Sequence, residues 1–518
     1  MNYKLNILFA VYSISVATFY ISHANAQSGT LDLSFGVDGF VITNYGKRTD
    51  IANGMVIQPD GKILVVGGTS TNGSSPDFAM SRYNPNGTLD NSFGVGGIFL
   101  KSINSPNQIT KAVNLQKDGK IIVGLENSNL ERYLSNGKID SSFGIYGTVI
   151  PKFQKNIISS YLSTIITQSD EKIITVGSAR DSQFNWIVLN RYNSNGSLDS
   201  SFGTNGILIT NIRAYSLAYS VDLQIDGKII ISGVDMVNNK STILIMRFRT
   251  DGNLDSSFGI NGILSTSIGT KRDADYTIKV QTDGYIVIAG NSENESEPLY
   301  IALLRINSNG SIDSTFGTNG IIKTLVSPKQ NTLLRSMTIQ KDGKILVSGV
   351  SFISPNFVLF LQRFNNSGTI DSSFGVNGTA ALFNNSLVLN PTSLALQNDG
   401  KIVLSGNQTP PSSPSSYDIF VLRLNNTITG LNEESKQLLE LCAAPNPFHS
   451  TSSIDLKHTL ENGTLIFYNM YGIKVKTIKN ISGKTLTIQR DQLSSGIYHI
   501  QLFEKNMFIA EGKILINN

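Results

Sequence analysis

The chain contains one cysteine, Cys442, in 518 residues. No internal disulfide can form, which excludes a disulfide framework. Histidine is nearly as scarce. His23, His449, His458 and His499 all lie outside residues 29–427. That long region therefore has no imidazole for a zinc site or for a Ser–His or Cys–His couple. A dominant charge is lacking too. Lysine and arginine number 42 against 38 acidic residues, a net +4 that argues for neither nucleic acid nor an anionic membrane. Beyond the N-terminus no stretch is long and apolar enough to span a bilayer.

The N-terminus differs. "MNYK" supplies a positive start, "LNILFAVYSISVATFYI" an apolar stretch, and "HANA" a small-x-small site. Residues 1–26 are expected to be a signal peptide, cleaved between Ala26 and Gln27.

What the chain has in quantity is a repeat. "LDLSFGVDG", "LDNSFGVGG", "IDSSFGIYG", "LDSSFGTNG", "LDSSFGING", "IDSTFGTNG" and "IDSSFGVNG" recur with phenylalanines at 35, 93, 143, 202, 258, 316 and 374. About 26 residues after each comes a second mark, typified by "QPDGKILVVGG" and "QKDGKILVSG". A fixed period of this kind signals a repeat architecture. Each unit reads as four short strands, A to D, exemplified by "GMVIQ", "KILVVGG", "FAMSRYN" and "FGVGGIFL". Asp-Gly or Asn-Gly turns separate A from B and C from D. The expected fold class is all-β: a seven-bladed β-propeller over residues 29–427.

Every strand C carries an arginine and every strand D opens on an aspartate eight positions later. The pairs are Arg82–Asp90, Arg132–Asp140, Arg191–Asp199, Arg247–Asp255, Arg305–Asp313 and Arg363–Asp371. A hairpin between the two sets them opposite each other, and a bidentate ion pair is the expected contact. Two residues are left over: Arg423 at the end and Asp32 at the start. If the N-terminal strand completes the last blade, these two meet, and two exposed sheet edges disappear.

The repeated residues are poor catalytic candidates, because a catalytic group usually occurs once. The "NPNGTLD" type of loop has too few carboxylates for calcium and reads as a hairpin turn. No metal or cofactor is expected. Unrepeated acids are Glu126, Glu131, Asp222, Asp235, Asp275, Glu293, Glu295 and Glu297. A converging pair among them could cleave a glycosidic bond. The A–B and C–D turns are stereotyped and share one face. The B–C and D–A loops vary, so a ligand site is expected on their face. Several D–A loops are basic, with Lys47, Arg48, Lys152, Lys155, Arg213, Lys271, Arg272, Lys329 and Arg335. An acidic glycan would suit them, and scattered solubilising charge explains them equally well.

After "RLNNT" the pattern stops. Residues 428–440 read as a linker. Residues 441–518 read as a small Ig-like β-sandwich of short strands with glycine-centred turns. Cys442 falls on its first strand, as a small buried residue.

The seven units resemble the delta-60 repeat, a bacterial family expected to form β-propellers; "SDEK" at 169–172 departs from its Asp-Gly-Lys turn. The tail resembles the type A C-terminal sorting domain of the type IX secretion system, through "PNPF" at 445–448, "YNMYGIKV" at 468–475, "LSSGIYHIQL" at 493–502 and "GKILI" at 512–516. This resemblance implies a Bacteroidota protein, handled by the type IX machinery through residues 441–518 and delivered outside the cell or to its outer surface. The expected role is binding or adhesion, with a glycan or another surface protein on the variable face. The alternatives are a propeller enzyme acting on polysaccharide, as lyase or hydrolase, and a passive structural surface protein.

Overall fold

The computed structural model describes residues 28–46, 49–70, 77–102, 109–153, 157–210, 215–237, 240–353, 356–382, 388–409, 416–426, 439–441, 443–469, 474–504 and 507–517. The chain divides into two compact units, Met1–Ile428 and Thr429–Asn518. Strands are its only regular elements among these residues.

The first unit contains seven four-stranded antiparallel sheets. In blade 1, strand A is Thr49–Ile57, B is Ile63–Ser70, C is Asp77–Tyr83 and D is Ile98–Lys101. Strand B is buried at all eight positions, while strand A alternates between buried and half-buried. The reason is radial packing. Neighbouring blades cover both faces of the central strands, so "ILVV" runs without polar alternation. Residues Leu64, Val66, Phe78, Met80 and Phe93 of blade 1 share a core with Val113, Ile121, Val123, Leu125 and Tyr133 of blade 2.

Each strand A contacts strand A of the next blade, through 49–57, 110–115, 159–167, 217–223, 272–280, 332–339 and 388–396, and the last returns to the first. The ring is therefore closed. Blade 7 takes strands A to C from Val388–Leu396, Ile402–Thr409 and Asp418–Leu424, and its fourth from Phe40–Thr43. Phe40 opposes Leu422 and Thr43 opposes Ile419. The blade 7–blade 1 interface is packed like the others, with Phe35, Met55, Val65, Tyr83 and Val421 buried.

The aspartate does not open strand D itself. Asp90 follows the single bridge residue Leu89, which pairs with Tyr83, and the Ser-Phe-Gly segment then makes a tight turn, with Gly97 N–H donating to Phe93 O (2.9 Å), before Ile98. This turn meets the neighbouring blade: Gly36 N–H donates to Asn86 O at 2.8 Å. Gly87 there has φ of 89°, and a Cβ would lie 2.8 Å from Gly36 N. That close approach accounts for glycine in the C–D turn.

The second unit contains strands Leu439–Glu440, Ala443–Ala444, Thr451–Tyr468, Lys474–Gln489, Gly496–Glu504 and Met507–Ile516, all in one connected sheet. The sequence reads this unit as a sandwich of short strands. Two strands are instead 18 and 16 residues long, with register shifts between Asp455 and Gly463. Such irregularities let a long strand bend. A single core forms around Phe448, Ile454, Leu465, Phe467, Ile488 and Ile500. Cys442 lies outside the described residues.

Candidate functional site

The seven arginine–aspartate pairs form one repeated network on the stereotyped-turn face. The distance from Arg Nε to Asp Oδ2 is 2.7–2.9 Å in every case, including Arg423–Asp32 across the seam. The pairing is not a two-oxygen fork. Only Asp Oδ2 meets the arginine, because Oδ1 accepts the N–H and hydroxyl of a residue two positions on, Ser92 in the Asp90 case (3.0 and 2.7 Å). The rest of the guanidinium reaches elsewhere. Arg82 Nη1 donates to Ser135 O of blade 2, and equivalent bonds run from Arg132, Arg191, Arg247, Arg305 and Arg423 to the next blade. Each guanidinium lies over its blade's phenylalanine, 4.5–4.8 Å from the ring centre.

Two other repeated residues join in, and sequence reasoning missed their roles. The lysine of the A–B turn approaches the same carboxylate, Lys401 at 2.6 Å from Asp32 and Lys62 at 3.2 Å from Asp90. In blade 5 the lysine is replaced by Tyr285, which stacks on Arg305. The glutamine closing strand A joins blades: Gln397 Nε2 donates to Gly61 O at 3.1 Å, and its Oε1 accepts from Arg423 at 3.2 Å. Their recurrence in "QPDGK" was the available signal. At the seam, Arg363 instead bonds Ser28 Oγ (2.8 Å) and Asn426 Oδ1 (2.7 Å). Ala26 and Gln27, the expected cleavage junction, lie outside the described residues.

Burial alone would raise the Asp32 carboxyl. Hydrogen bonds from Lys401 and Ser34 and the Arg423 charge outweigh it and hold the pKa at about 2. The carboxyls of Asp90, Asp140, Asp199, Asp255, Asp313 and Asp371 are lowered in the same way. These fully engaged groups build the frame and offer no open chemistry.

The unrepeated acids do not converge. Glu126 pairs with Lys111 at 3.2 Å, and Glu131 with Lys101 at 2.7 Å. Asp222 accepts from Val280 N–H, and Asp235 from Ser216. Glu293 engages Lys271 (2.5 Å) and Arg272 (3.7 Å), and Glu297 accepts from Asn294. Glu295 N–H donates to Thr270 Oγ1. Among the described residues no group of three or more His, Cys, Asp or Glu side chains is placed to hold a metal. Of the basic loop residues, Arg272 and Arg335 belong to strands A, and Lys47, Arg48, Lys155 and Arg213 lie outside the described residues.

Asp275 is different. Every strand A carries a β-bulge opposite strand B, between Ala52 and Gly54, Thr110 and Ala112, Leu162 and Thr164, Ala218 and Ser220, Ala274 and Thr277, Leu334 and Ser336, and Pro391 and Ser393. A bulge re-aims a side chain. The bulged residues are Asn53, Lys111, Ser163, Tyr219, Asp275 with Tyr276, Arg335 and Thr392. In blade 5 Tyr276 turns inward against Gly290, and Asp275, at φ of 55°, faces the channel instead. The axial channel encloses about 740 Å³, with Ser163, Tyr219, Asp275, Arg335 and Thr392 in its wall. A second row of hydroxyls, Thr164, Ser220, Thr277, Ser336 and Ser393, lies beside them. Burial raises the Tyr219 hydroxyl pKa, nearby Asp275 adds to it, and Arg272 opposes it. Tyr219 is thus a neutral hydroxyl at pH 7. Arg335 Nε donates to Asn390 Oδ1 at 3.2 Å.

The family described as "Domain of unknown function (DUF5122) beta-propeller" matches residues 58–93, 168–202, 224–258, 281–316 and 340–374. The family described as "Secretion system C-terminal sorting domain" matches residues 443–517. Curated proteins give no match. Among solved structures, the chain is similar to the extracellular domain of a B. thetaiotaomicron hybrid two-component system, at 11% identity and TM-score 0.38, covering 93% of this chain but 58% of that one. The polysaccharide lyase Uly1 is similar at 10% identity and TM-score 0.44 over 78% of this chain and 94% of that chain. YCF48 from Cyanidioschyzon merolae is similar at 10% identity and TM-score 0.40 over 74% and 98%. No helix among the described residues is long and apolar enough to cross a membrane. The chain is a secreted or outer-surface protein that joins delta-60-like DUF5122 β-propeller repeats to a type IX C-terminal sorting domain.

Proposed function

We propose that this is a binding or adhesion protein whose ligand is a glycan held at the axial channel mouth on the variable face. One observation carries the reading. The frame residues Arg, Asp and Phe are the same in seven blades, whereas the five bulge residues in the channel wall, Ser163, Tyr219, Asp275, Arg335 and Thr392, all differ. A purely structural ring has no use for that variation. Hydroxyls, the Asp275 carboxylate, the Arg335 guanidinium and the amines of Lys279 and Lys341 in a roomy polar channel suit a polyhydroxylated ligand.

A second reading is favoured by Tyr219, Asp275 and Arg335 sharing the channel wall: an enzyme acting on polysaccharide. Two features weigh against it. Among the described residues Asp275 is the one carboxylate in the wall, whereas glycoside hydrolysis uses two. The pKa of Tyr219 is raised, which is unhelpful for a base. A glycan array with the purified full chain, run beside mass spectrometry of the glycans after incubation, separates these. Retention of unaltered glycan is the expected result; shortened or unsaturated products would overturn it.

A further inference from the structure

We infer that the B–C hairpin of blade 3 carries a stacking subsite for a sugar ring, built on Trp186, Phe184 and Tyr215. This rests on the glycan reading above and extends it to an oligosaccharide that reaches out of the channel. Trp186 is the chain's single tryptophan. Phe184 packs edge-on to it at 5.3 Å and 66°, and edge-on to Tyr215 at 6.1 Å and 74°. Tyr215 is 51% exposed, and Phe184 and Trp186 are half-buried. None of the three belongs to a buried apolar cluster of the neighbouring blades. They therefore contribute little to the core, and a surface aromatic group of this size marks a recognition site.

The platform is rigid by construction. Asp181 accepts the Trp186 indole N–H at 2.8 Å, and its other oxygen accepts Gln183 N–H and Phe184 N–H at 2.8 and 2.7 Å. Asn185 bridges Tyr215 in parallel, tying the hairpin to the start of blade 4. Pre-set aromatic rings present contact area at low entropic cost. Exposed Arg180, Ser182 and Gln183 frame the rings. An apolar face bordered by polar groups matches a pyranose, which has C–H bonds on one face and hydroxyls at its rim. A peptide hot spot would be expected to offer a deeper apolar pocket.

The location argues for an extended ligand. Tyr215 precedes Tyr219 of the channel wall by four residues, so their Cα atoms are at most about 14 Å apart. An oligosaccharide lying on the platform can therefore place its next rings at the mouth.

The sole tryptophan provides the readout. The full chain is titrated with cello-, xylo- and chitohexaose, following tryptophan fluorescence and, independently, calorimetry. A saturable fluorescence change with at least one hexasaccharide is expected. Trp186→Ala should weaken that affinity at least about tenfold, and Trp186→Phe less than about threefold, with melting temperature unchanged in both. Undiminished calorimetric affinity in Trp186→Ala overturns the subsite but leaves the channel reading intact. No binding by any hexasaccharide overturns both and points to a protein ligand.

Discussion

The two ends of strand A follow opposite rules. Just past its last residue stands a glutamine in all seven blades, and Gln281 and Gln397 reach the next blade on the stereotyped-turn face. Its bulge, five or six residues before that glutamine, is Asn, Lys, Ser, Tyr, Asp with Tyr, Arg or Thr. The same strand is thus frame at one end and channel wall at the other. Geometry explains the split. At the turn face Arg82 meets Asp90 and Ser92 of its own blade and Ser135 O of the next, and Lys62 joins the same carboxylate, so one substitution breaks several contacts. At the bulge, Ser163, Tyr219, Asp275, Arg335 and Thr392 line the channel, and the side chain differs from blade to blade. Glycine on strand B is the constant that permits this: a Cβ on Gly67 would lie 1.7 Å from Ile51 O.

Substitutions can break the comparison in order of size. Asp371→Ala leaves Arg363, with no exposed side-chain surface, as an uncompensated buried charge. A loss of about 3–5 kcal/mol is expected, measured by denaturant unfolding. Asp32→Ala does the same at the seam and should also expose the edge of strand Phe40–Thr43, visible as early hydrogen exchange there.

Acid should act on the frame as a set. All seven carboxyls are lowered in the folded protein, from an ordinary value of 3.8 to about 2 for Asp32. A lowered carboxyl contributes stability that is complete above the unfolded value. That stability is lost as pH falls through the folded value. Melting temperature should therefore hold from pH 7 to about pH 4 and fall steeply toward pH 2. Salt should soften this little, since the pairs are buried. A melting temperature that declines evenly from pH 7 would mean the pairs do not govern acid stability.

Changes at the bulge should be the smallest in stability. Arg335→Ala, on an exposed side chain, should shift unfolding by no more than about 0.5 kcal/mol. A larger loss would show that the channel wall belongs to the frame.

Much of the frame was legible in the sequence, because the frame is what repeats. Arg and Asp eight apart, and the unmatched Arg423 and Asp32, are visible without coordinates. The contact of Arg82 with Ser135 is not, since it joins residues 53 apart through blade packing. The channel wall was hidden for a different reason. A bulge is a property of strand pairing, so Arg335 looked like a loop charge and nothing in the sequence set Tyr219 apart. The long, bent strands of the C-terminal unit were likewise read as several short ones, because Gly463 and Gly483 lie inside them.

The most direct test is a glycan array probed with the full chain and with a Tyr219→Phe, Asp275→Asn, Arg335→Gln triple variant. The account predicts that the variant melts where the parent does and loses the parent's glycan signal. An unchanged signal at unchanged stability would contradict the assignment of the channel mouth as the binding site.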